Sequence, residues 1–97
     1  MKPMRLDELV RSSGLASAAL PPAAAAVEVR TVVADSRKVV PGALFVAVSG
    51  ARHRGVDFAE RAVAAGAVAL VVDEPYALGQ IPVLRVPDAR AAVGPLA

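Results

Sequence analysis

Residues 42–73, GALFVAVSGARHRGVDFAERAVAAGAVALVVD, contain the segments that decide the fold. Residues 43–48 and 67–72 are continuous apolar runs, which is typical of short strands buried on both faces of a sheet. A helical pattern lies between the two runs and ends at Gly66. Strand, helix and strand within about thirty residues form a βαβ unit, so the two strands are predicted to be parallel with a right-handed crossover.

The flanking segments extend this unit into a small sheet. Residues 27–33 alternate apolar and polar side chains and predict a strand with one half-polar face, and residues 83–86 predict a fourth, shorter strand. An amphipathic helix is predicted over residues 4–13, and the Ala/Pro-rich residues 15–26 are predicted to be a connector. The predicted fold class is α/β, with a small, mostly parallel sheet of about four strands and flanking helices.

Acidic residues mark the predicted helix starts. Asp57 is predicted to be the N-cap of the central helix, and Glu60 three residues later resembles the second half of a capping box. Asp88 is predicted to cap a further helix that runs to the end of the sequence at Ala97. Because that helix ends with the sequence, we expect residues 1–97 to be one domain of a longer protein.

Composition and charge narrow the possible functions. The 97 residues suffice for one domain, and 56% of them are hydrophobic. The net charge of +2 is too mild for nucleic-acid binding by bulk charge, and the absence of Cys excludes disulfides and thiol chemistry. Early acidic residues and the Pro21-Pro22 pair argue against a signal peptide, and no apolar run approaches the roughly 20 residues of a membrane span.

The loop of residues 50–55, bounded by two glycines, follows a predicted strand and precedes a predicted helix, which is the layout of a phosphate cradle. A P-loop needs Lys and Ser or Thr after its second glycine, whereas Val56 and Asp57 follow here, so the anion is not the triphosphate of ATP. The backbone amides of residues 51–55 are the expected donors. An ordinary solvated connection between strand and helix is the alternative.

A second polar cluster, Asp35-Ser36-Arg37, follows the predicted strand over residues 27–33. Because the carboxyl ends of parallel strands meet at one edge of a sheet, this cluster and the loop of residues 50–55 are expected to face the same crevice. The Ser36 hydroxyl can donate to a phosphate or to a neighbouring carbonyl. Alternatively, Asp35 caps local N–H groups in an Asx-turn and Arg37 pairs with a nearby carboxylate.

No catalytic group can be assembled from the side chains. His53 is the only His, so neither a Ser–His–Asp triad nor a His-based metal site is predicted. Asp73-Glu74 is expected to be a solvated strand end. The residues themselves therefore indicate an anion-binding α/β domain without catalytic machinery.

The order of five short motifs resembles that of the N-terminal domain of the Mur ligases, over roughly residues 5–97. These motifs are Asp35-Ser36-Arg37, Pro41-Gly42, Leu44-Phe45-Val46-Ala47, the loop from Gly50 to Gly55, and Gly66-Ala67 before a strand. Within the family the chain looks most like the MurE-type branch, which adds the third residue of the peptidoglycan stem peptide. The branch that adds D-Ala-D-Ala typically has Thr in place of Ser36 and stays the alternative.

The resemblance implies which residues touch the substrate. Those expected to contact UDP are Ala34, Ser36, Ala51, Arg52 and His53, and those expected to support them are Asp35, Arg37, Gly50 and Gly55. The two glycines are expected to adopt positive φ or to let the backbone approach the diphosphate, so that replacing Gly55 costs binding more than stability. No catalytic or metal-binding residue is expected in this segment.

The resemblance also implies a function for the parent protein. The segment would bind the UDP moiety of UDP-N-acetylmuramoyl-L-alanyl-D-glutamate for a cytoplasmic, ATP-dependent, amide-forming ligase that adds a diamino acid, with meso-diaminopimelate favoured. ATP and Mg²⁺ would be bound by a central domain, reached within a few dozen residues at a Gly-rich loop ending in Lys and Thr or Ser. The other Mur ligase domains would be partners in cis, nucleic acid would not be one, and the isolated segment is expected to be inactive. A stand-alone α/β module that binds another phosphate, or RNA, is the alternative from a different class.

Overall fold

A four-stranded parallel sheet forms the centre of the protein. The computed structural model describes residues 4–12, 27–48, 54–74, 81–86 and 88–89. The four strands, in their order across the sheet, are β3 (Thr31–Val33), β4 (Ala43–Val46), β5 (Ala69–Val72) and β6 (Val83–Arg85). Each neighbouring pair is parallel, with Val33 opposite Phe45 and Phe45 opposite Leu70. The predicted α/β fold class is confirmed.

The two central strands, β4 and β5, are parallel and joined through a helix, as predicted. All residues of β4 and β5 are buried, as their continuous apolar sequences indicate. Between them, a 3₁₀ turn (Gly55–Phe58) leads directly into the helix α2 (Ala59–Ala64). The helix ends before Gly66, whose φ of +113° is strained for any residue with a side chain.

The N-terminal part of the chain differs from the prediction. Residues Met4–Arg5 form a short strand, β1, which pairs antiparallel with β2 (Glu28–Val29) in a separate two-stranded sheet. The helix α1 therefore covers Leu6–Ser12 rather than starting at residue 4. The strand predicted over residues 27–33 is divided at Arg30, whose N–H donates to the carbonyl of Gly42 at 2.9 Å. The alternation of side chains shifts across the break, because Val29 and Val32 pack into the same cluster whereas Val33 packs into the cluster on the other face. The prediction of one strand was therefore wrong.

Buried side chains cover both faces of the four-stranded sheet. On one face, alternate residues of the strands pack with α1 and Val29; this cluster includes Leu6, Leu9, Leu44, Val46, Val71 and Leu84. On the other face the intervening residues pack with α2; this cluster includes Phe45, Leu70, Val72, Ala59 and Ala62. The division follows the alternation of side chains along a strand. Small Ala side chains on α2 allow the helix to lie close to the sheet.

Two glycines meet at the amino end of the sheet. Gly42, with a φ of +90°, follows Pro41 in the turn before β4, and its N–H donates to the carbonyl of Gly66 at 2.9 Å. A Cβ on Gly66 would lie 2.5 Å from the Cα of Pro41. The Pro41-Gly42 turn and the end of α2 thus need glycine for both conformation and space.

The start of the central helix also differs from the prediction. Asp57 lies inside the 3₁₀ turn, and its carboxylate accepts the backbone N–H of Arg54 at 3.3 Å, while its own N–H donates to the Arg54 carbonyl at 3.0 Å. Arg54 is therefore the N-cap, and Asp57 reaches back to it in the manner of the acidic member of a capping box. The helix begins earlier than expected because the chain enters it through a 3₁₀ turn.

Neither described helix has the length and apolar character that crossing a membrane requires.

Candidate functional site

A pocket of about 420 Å³ lies at the carboxyl ends of β3 and β4. Its lining residues come from the turn after β3, from β4 and the residues after it, and from the central helix: Ala34, Asp35, Ser36, Arg37, Phe45, Val48, Phe58 and Arg61. This volume is in the range of small-molecule sites, roughly 300–1,000 Å³. The predicted Asp35-Ser36-Arg37 cluster thus shares a crevice with the end of β4.

The floor of the pocket is apolar. Phe45 is 1% exposed, and Val48 and Phe58 are half-buried beside it. The polar side chains are confined to the turn after β3 and to Arg61 of α2. An apolar floor with a few polar groups at the rim is the usual composition of a site that binds and orients a small organic molecule.

Asp35 and Arg37 bind each other. The Asp35 carboxylate accepts the Arg37 backbone N–H at 2.9 Å and two guanidinium N–H groups, from Nε at 3.1 Å and from Nη2 at 3.0 Å. The side-chain hydrogen bond from Arg37 lowers the pKa of Asp35 to about 2, and that of Arg37 is raised in turn. The Asx-turn alternative therefore describes these two residues, which fix the 3₁₀ turn Ser36–Lys38 and offset each other's charge.

Ser36 occupies a different position from its two neighbours. It is half-buried and lines the pocket, and within the described residues its hydroxyl makes no hydrogen bond to protein. Its backbone carbonyl accepts the N–H of Val39 at 3.4 Å, which closes the turn. Because Ser36 lines the pocket and the described residues do not bind its hydroxyl, that hydroxyl is available to a ligand.

Gly55 has a packing role that the sequence did not reveal. A Cβ at this position would lie 2.3 Å from the carbonyl carbon and 2.4 Å from the carbonyl oxygen of Ala47. Gly55 is not among the described glycines with positive φ. The close approach that requires glycine here is therefore to the end of β4, so replacing Gly55 is expected to cost stability, and its effect on ligand binding stays a prediction.

The amide N–H and the guanidinium of Arg54 both bind carboxylates of the protein. Its amide N–H, one of the predicted anion donors, is bound by Asp57. Its guanidinium pairs with Glu74, with Nε donating to Oε1 at 2.8 Å and Nη2 donating to the same oxygen, and this pairing raises the pKa of Arg54. Arg54 thus links the segment before the central helix to the end of β5. The anion-donor role predicted for its amide does not fit this geometry.

The acidic pair after β5 is not simply solvated. Glu74 binds Arg54, and the Asp73 carboxylate accepts the backbone N–H of Ala89 at 3.1 Å. The described start of the last helix is therefore bound by Asp73 from another strand end, and the helix predicted beyond Ala89 lies outside the described residues.

Four of the predicted site residues also lie outside the described residues: Gly50, Ala51, Arg52 and His53. The roles of their amides and side chains stay predictions. The helix that follows them begins in a 3₁₀ turn, and its α2 segment has six residues, so its macrodipole offers less to an anion than a long α-helix would. The pocket beside Ser36 is the better-defined part of the candidate site.

The sequence and the described residues offer no group suited to bind ATP or Mg²⁺. The sequence has no Gly-rich loop ending in Lys and Ser or Thr, and the described residues contain no group of three or more acidic or His side chains that could hold a metal ion.

The sequence is similar to a family profile and to curated proteins. The family profile described as "Mur ligase family, catalytic domain" matches residues 28–97. The UDP-N-acetylmuramoyl-L-alanyl-D-glutamate–2,6-diaminopimelate ligase of Listeria innocua is 39% identical over 97% of this chain and 18% of its own length. The UDP-N-acetylmuramoyl-tripeptide–D-alanyl-D-alanine ligase of Escherichia coli is 48% identical over 68% of this chain and 14% of its own length. The chain thus spans less than a fifth of these curated relatives.

Solved structures have the same fold. MurF from Acinetobacter baumannii superposes on 99% of this chain and 20% of its own, with a TM-score of 0.75 and 26% identity. MurF ligase from Thermotoga maritima, solved in complex with ADP, superposes on 69% of this chain and 16% of its own, with a TM-score of 0.58 and 29% identity.

Proposed function

Because the chain belongs to the Mur ligase family, we propose that residues 1–97 are the N-terminal, UDP-binding domain of a peptidoglycan-precursor ligase. The matching profile is described as a catalytic domain, but the chain has no ATP loop, which supports a substrate-holding role instead. The observation that carries the proposal is the pocket at the ends of β3 and β4, with Ala34 and Ser36 in its wall. Both are among the residues that the family resemblance predicts to contact UDP.

The remaining contacts belong to the segment after β4. We assign Ala51, Arg52 and His53 to the diphosphate, through backbone N–H groups and a cation, with Gly50 admitting the backbone at the start of the loop. Asp35 and Arg37 support the site indirectly, because their ion pair holds the turn that contains Ser36. The site thus combines a hydroxyl on one side with a loop of amides on the other.

The proposed substrate is UDP-N-acetylmuramoyl-L-alanyl-D-glutamate, and the parent enzyme adds a diamino acid, with meso-diaminopimelate favoured. The Listeria relative carries that activity in its name and aligns with nearly the whole chain. The relative from Escherichia coli and the solved MurF structures support the D-Ala-D-Ala-adding branch as the second candidate. Ser36 in place of Thr favours the first branch.

The complete reaction needs more than this segment. Relatives of this chain are about five times as long, because the 94 and 66 residues aligned with it are 18% and 14% of their lengths. We propose that the gene continues into a central domain with a Gly-rich loop ending in Lys and Thr or Ser, which binds ATP and Mg²⁺ in the cytoplasm, and into a domain that binds the amino acid. The isolated segment then binds its ligand weakly and neither hydrolyses ATP nor forms an amide bond.

Removal of the Ser36 hydroxyl tests the proposal directly. Ser36→Ala is expected to weaken UDP binding about tenfold to hundredfold, because a hydrogen bond to a charged group contributes roughly 1.5–3 kcal/mol. Thr31→Val, which removes a hydroxyl from β3 outside the pocket lining, is the matched control, and Ser36→Thr should retain most of the affinity. Isothermal titration calorimetry of each folded variant with UDP gives the dissociation constants.

Two results would contradict the assignment. Equal affinity of wild type and Ser36→Ala would remove Ser36 from the UDP site. Preference for single-stranded RNA over UDP, with affinity that falls steeply as salt rises, would favour the stand-alone RNA-binding module, because a polyanion releases counterions on binding.

The pH dependence of binding tests His53. A UDP-sugar is the suitable ligand, because its diphosphate has no terminal phosphate to titrate near pH 6. If His53 contacts the diphosphate, affinity should rise as pH falls through about 6.5, since the protonated imidazole carries a positive charge. His53→Gln should give a flat profile between about pH 5.5 and 8, and a flat wild-type profile would exclude His53 from the site.

Asp35 does not interfere in that pH window. Its pKa is lowered from 3.8 to about 2 in the folded protein, so its contribution to stability is present above about pH 4 and is lost as pH falls towards 2. The Asp35–Arg37 pair thus stays ionised throughout the titration.

A further inference from the structure

One cation in the pocket has no role in the proposal above. Arg61 lies on α2 and lines the pocket together with Ser36 of the turn after β3, so two separate elements bring these side chains to one cavity. Arg61 is exposed, and no carboxylate among the described residues lies within ion-pair distance of it. The sequence offered no sign of this position, because Arg61 reads as a solvated residue of an amphipathic helix.

Arg61 gives the pocket lining an unbalanced positive charge. Asp35 and Arg37 form a bidentate pair, so their charges offset each other. The other charged side chain in the lining is Arg61, which gives the described lining a net charge of +1. A cation beside an apolar floor attracts an anion more strongly than the same cation in open water, because the floor excludes part of the solvent.

We propose that Arg61 is a phosphate-binding residue of this pocket, contacting the diphosphate of the nucleotide from α2 while the Ser36 hydroxyl contacts it from the turn. The inference rests on the proposed function and adds a residue to it. The planar guanidinium has five N–H donors in a fork that matches two phosphate oxygens. The base and the ribose are neutral and are not attracted to the guanidinium by charge. The phosphates are therefore the part of the ligand that Arg61 recognises.

The alternative is that Arg61 is merely solvated and its side chain covers apolar surface. A set of ligands with and without phosphates separates the two cases. Arg61→Met removes the charge and keeps a long apolar side chain, and Arg61→Lys keeps the charge without the fork. Arg85→Met, on the strand at the opposite edge of the sheet from β3, makes the same change in net charge outside the pocket.

The experiment titrates UDP, UMP and uridine into the full-length protein that carries this chain and into each variant, after circular dichroism has confirmed folding. Arg61→Met is expected to lose about tenfold to hundredfold in UDP affinity and to keep its uridine affinity within about twofold. Arg61→Lys should recover part of the loss. Arg85→Met should match wild type within about twofold at physiological salt, because exposed charges are screened over about 8 Å.

Each other outcome overturns the inference in a recognisable way. If wild type and Arg61→Met bind UDP equally, Arg61 is solvated and the proposed UDP site stands without it. If uridine affinity falls as much as UDP affinity, Arg61 acts on the base or on the fold rather than on phosphate. An equal loss in Arg85→Met would indicate bulk charge. If the wild-type protein binds none of the three ligands, the proposed function falls and the inference falls with it.

Discussion

Gly55→Ala is expected to destabilise the fold by about 3 kcal/mol or more, since overpacking a well-packed core costs typically 1–3 kcal/mol and more when backbone blocks the way. The added methyl group would lie 2.3 Å from the carbonyl carbon of Ala47 and 2.7 Å from the backbone nitrogen of Val48. Neither neighbour can rotate away, because both belong to the backbone at the end of β4. Only a shift of the 3₁₀ turn or of the strand end can relieve the contact.

Urea unfolding monitored by circular dichroism measures this loss. A domain of this size has roughly 5–15 kcal/mol of stability, so the variant should unfold at a much lower urea concentration. Gly42→Ala is the comparison variant: its φ of +90° costs about 1–2 kcal/mol, but its nearest steric neighbours are side-chain atoms of Arg30, which can move. Equal unfolding midpoints for Gly55→Ala and wild type would show that the turn shifts without cost.

The second large effect is expected at Phe45, whose truncation to alanine should cost about 3–5 kcal/mol. Phe45 is 1% exposed and has the largest volume of the fully buried side chains among the described residues. It lies on β4, between two neighbouring strands. It packs with Leu70 and with the Ala residues of α2, and its other side forms part of the pocket floor. Removing the ring would leave a cavity continuous with the pocket.

Phe58 provides the matched comparison, because it lines the same pocket but is only half-buried. Phe58→Ala should lose clearly less stability than Phe45→Ala in the same urea experiment, since less apolar surface returns to water. Similar losses for the two variants would mean that burial does not set the stability of this cluster.

The central part of the fold could be predicted because its signals are local. The all-apolar sequences of β4 and β5 are compatible only with burial on both faces, and Gly66 marks the end of the helix between them. Parallel pairing then follows from the length of the connection. The residues around Ser36 could be placed for the same reason, since a polar turn at the end of a strand lies at the carboxyl edge of the sheet.

Features that depend on distant partners could not be predicted. Arg54 binds Glu74 across 20 residues of sequence, and Asp73 binds the N–H of Ala89 across 16, so no local pattern announces either contact. The break at Arg30 is set by the carbonyl of Gly42. Arg61 enters the pocket only because α2 lies beside the turn after β3. Periodicity describes which face of an element is buried, but not which element it meets.

The all-parallel sheet also has a consequence for how the chain is made. No neighbouring strands of this sheet form a hairpin, so every pairing has to close a long loop first, and contacts of this kind form slowly. At a synthesis rate of about 5–20 residues per second, β4 leaves the ribosome roughly 1–5 s before β5 does. During that time the ALFV segment of β4 has no strand on that side to pair with. Aggregation of the nascent chain would therefore begin at β4, which makes chaperone binding to this segment an advantage during translation.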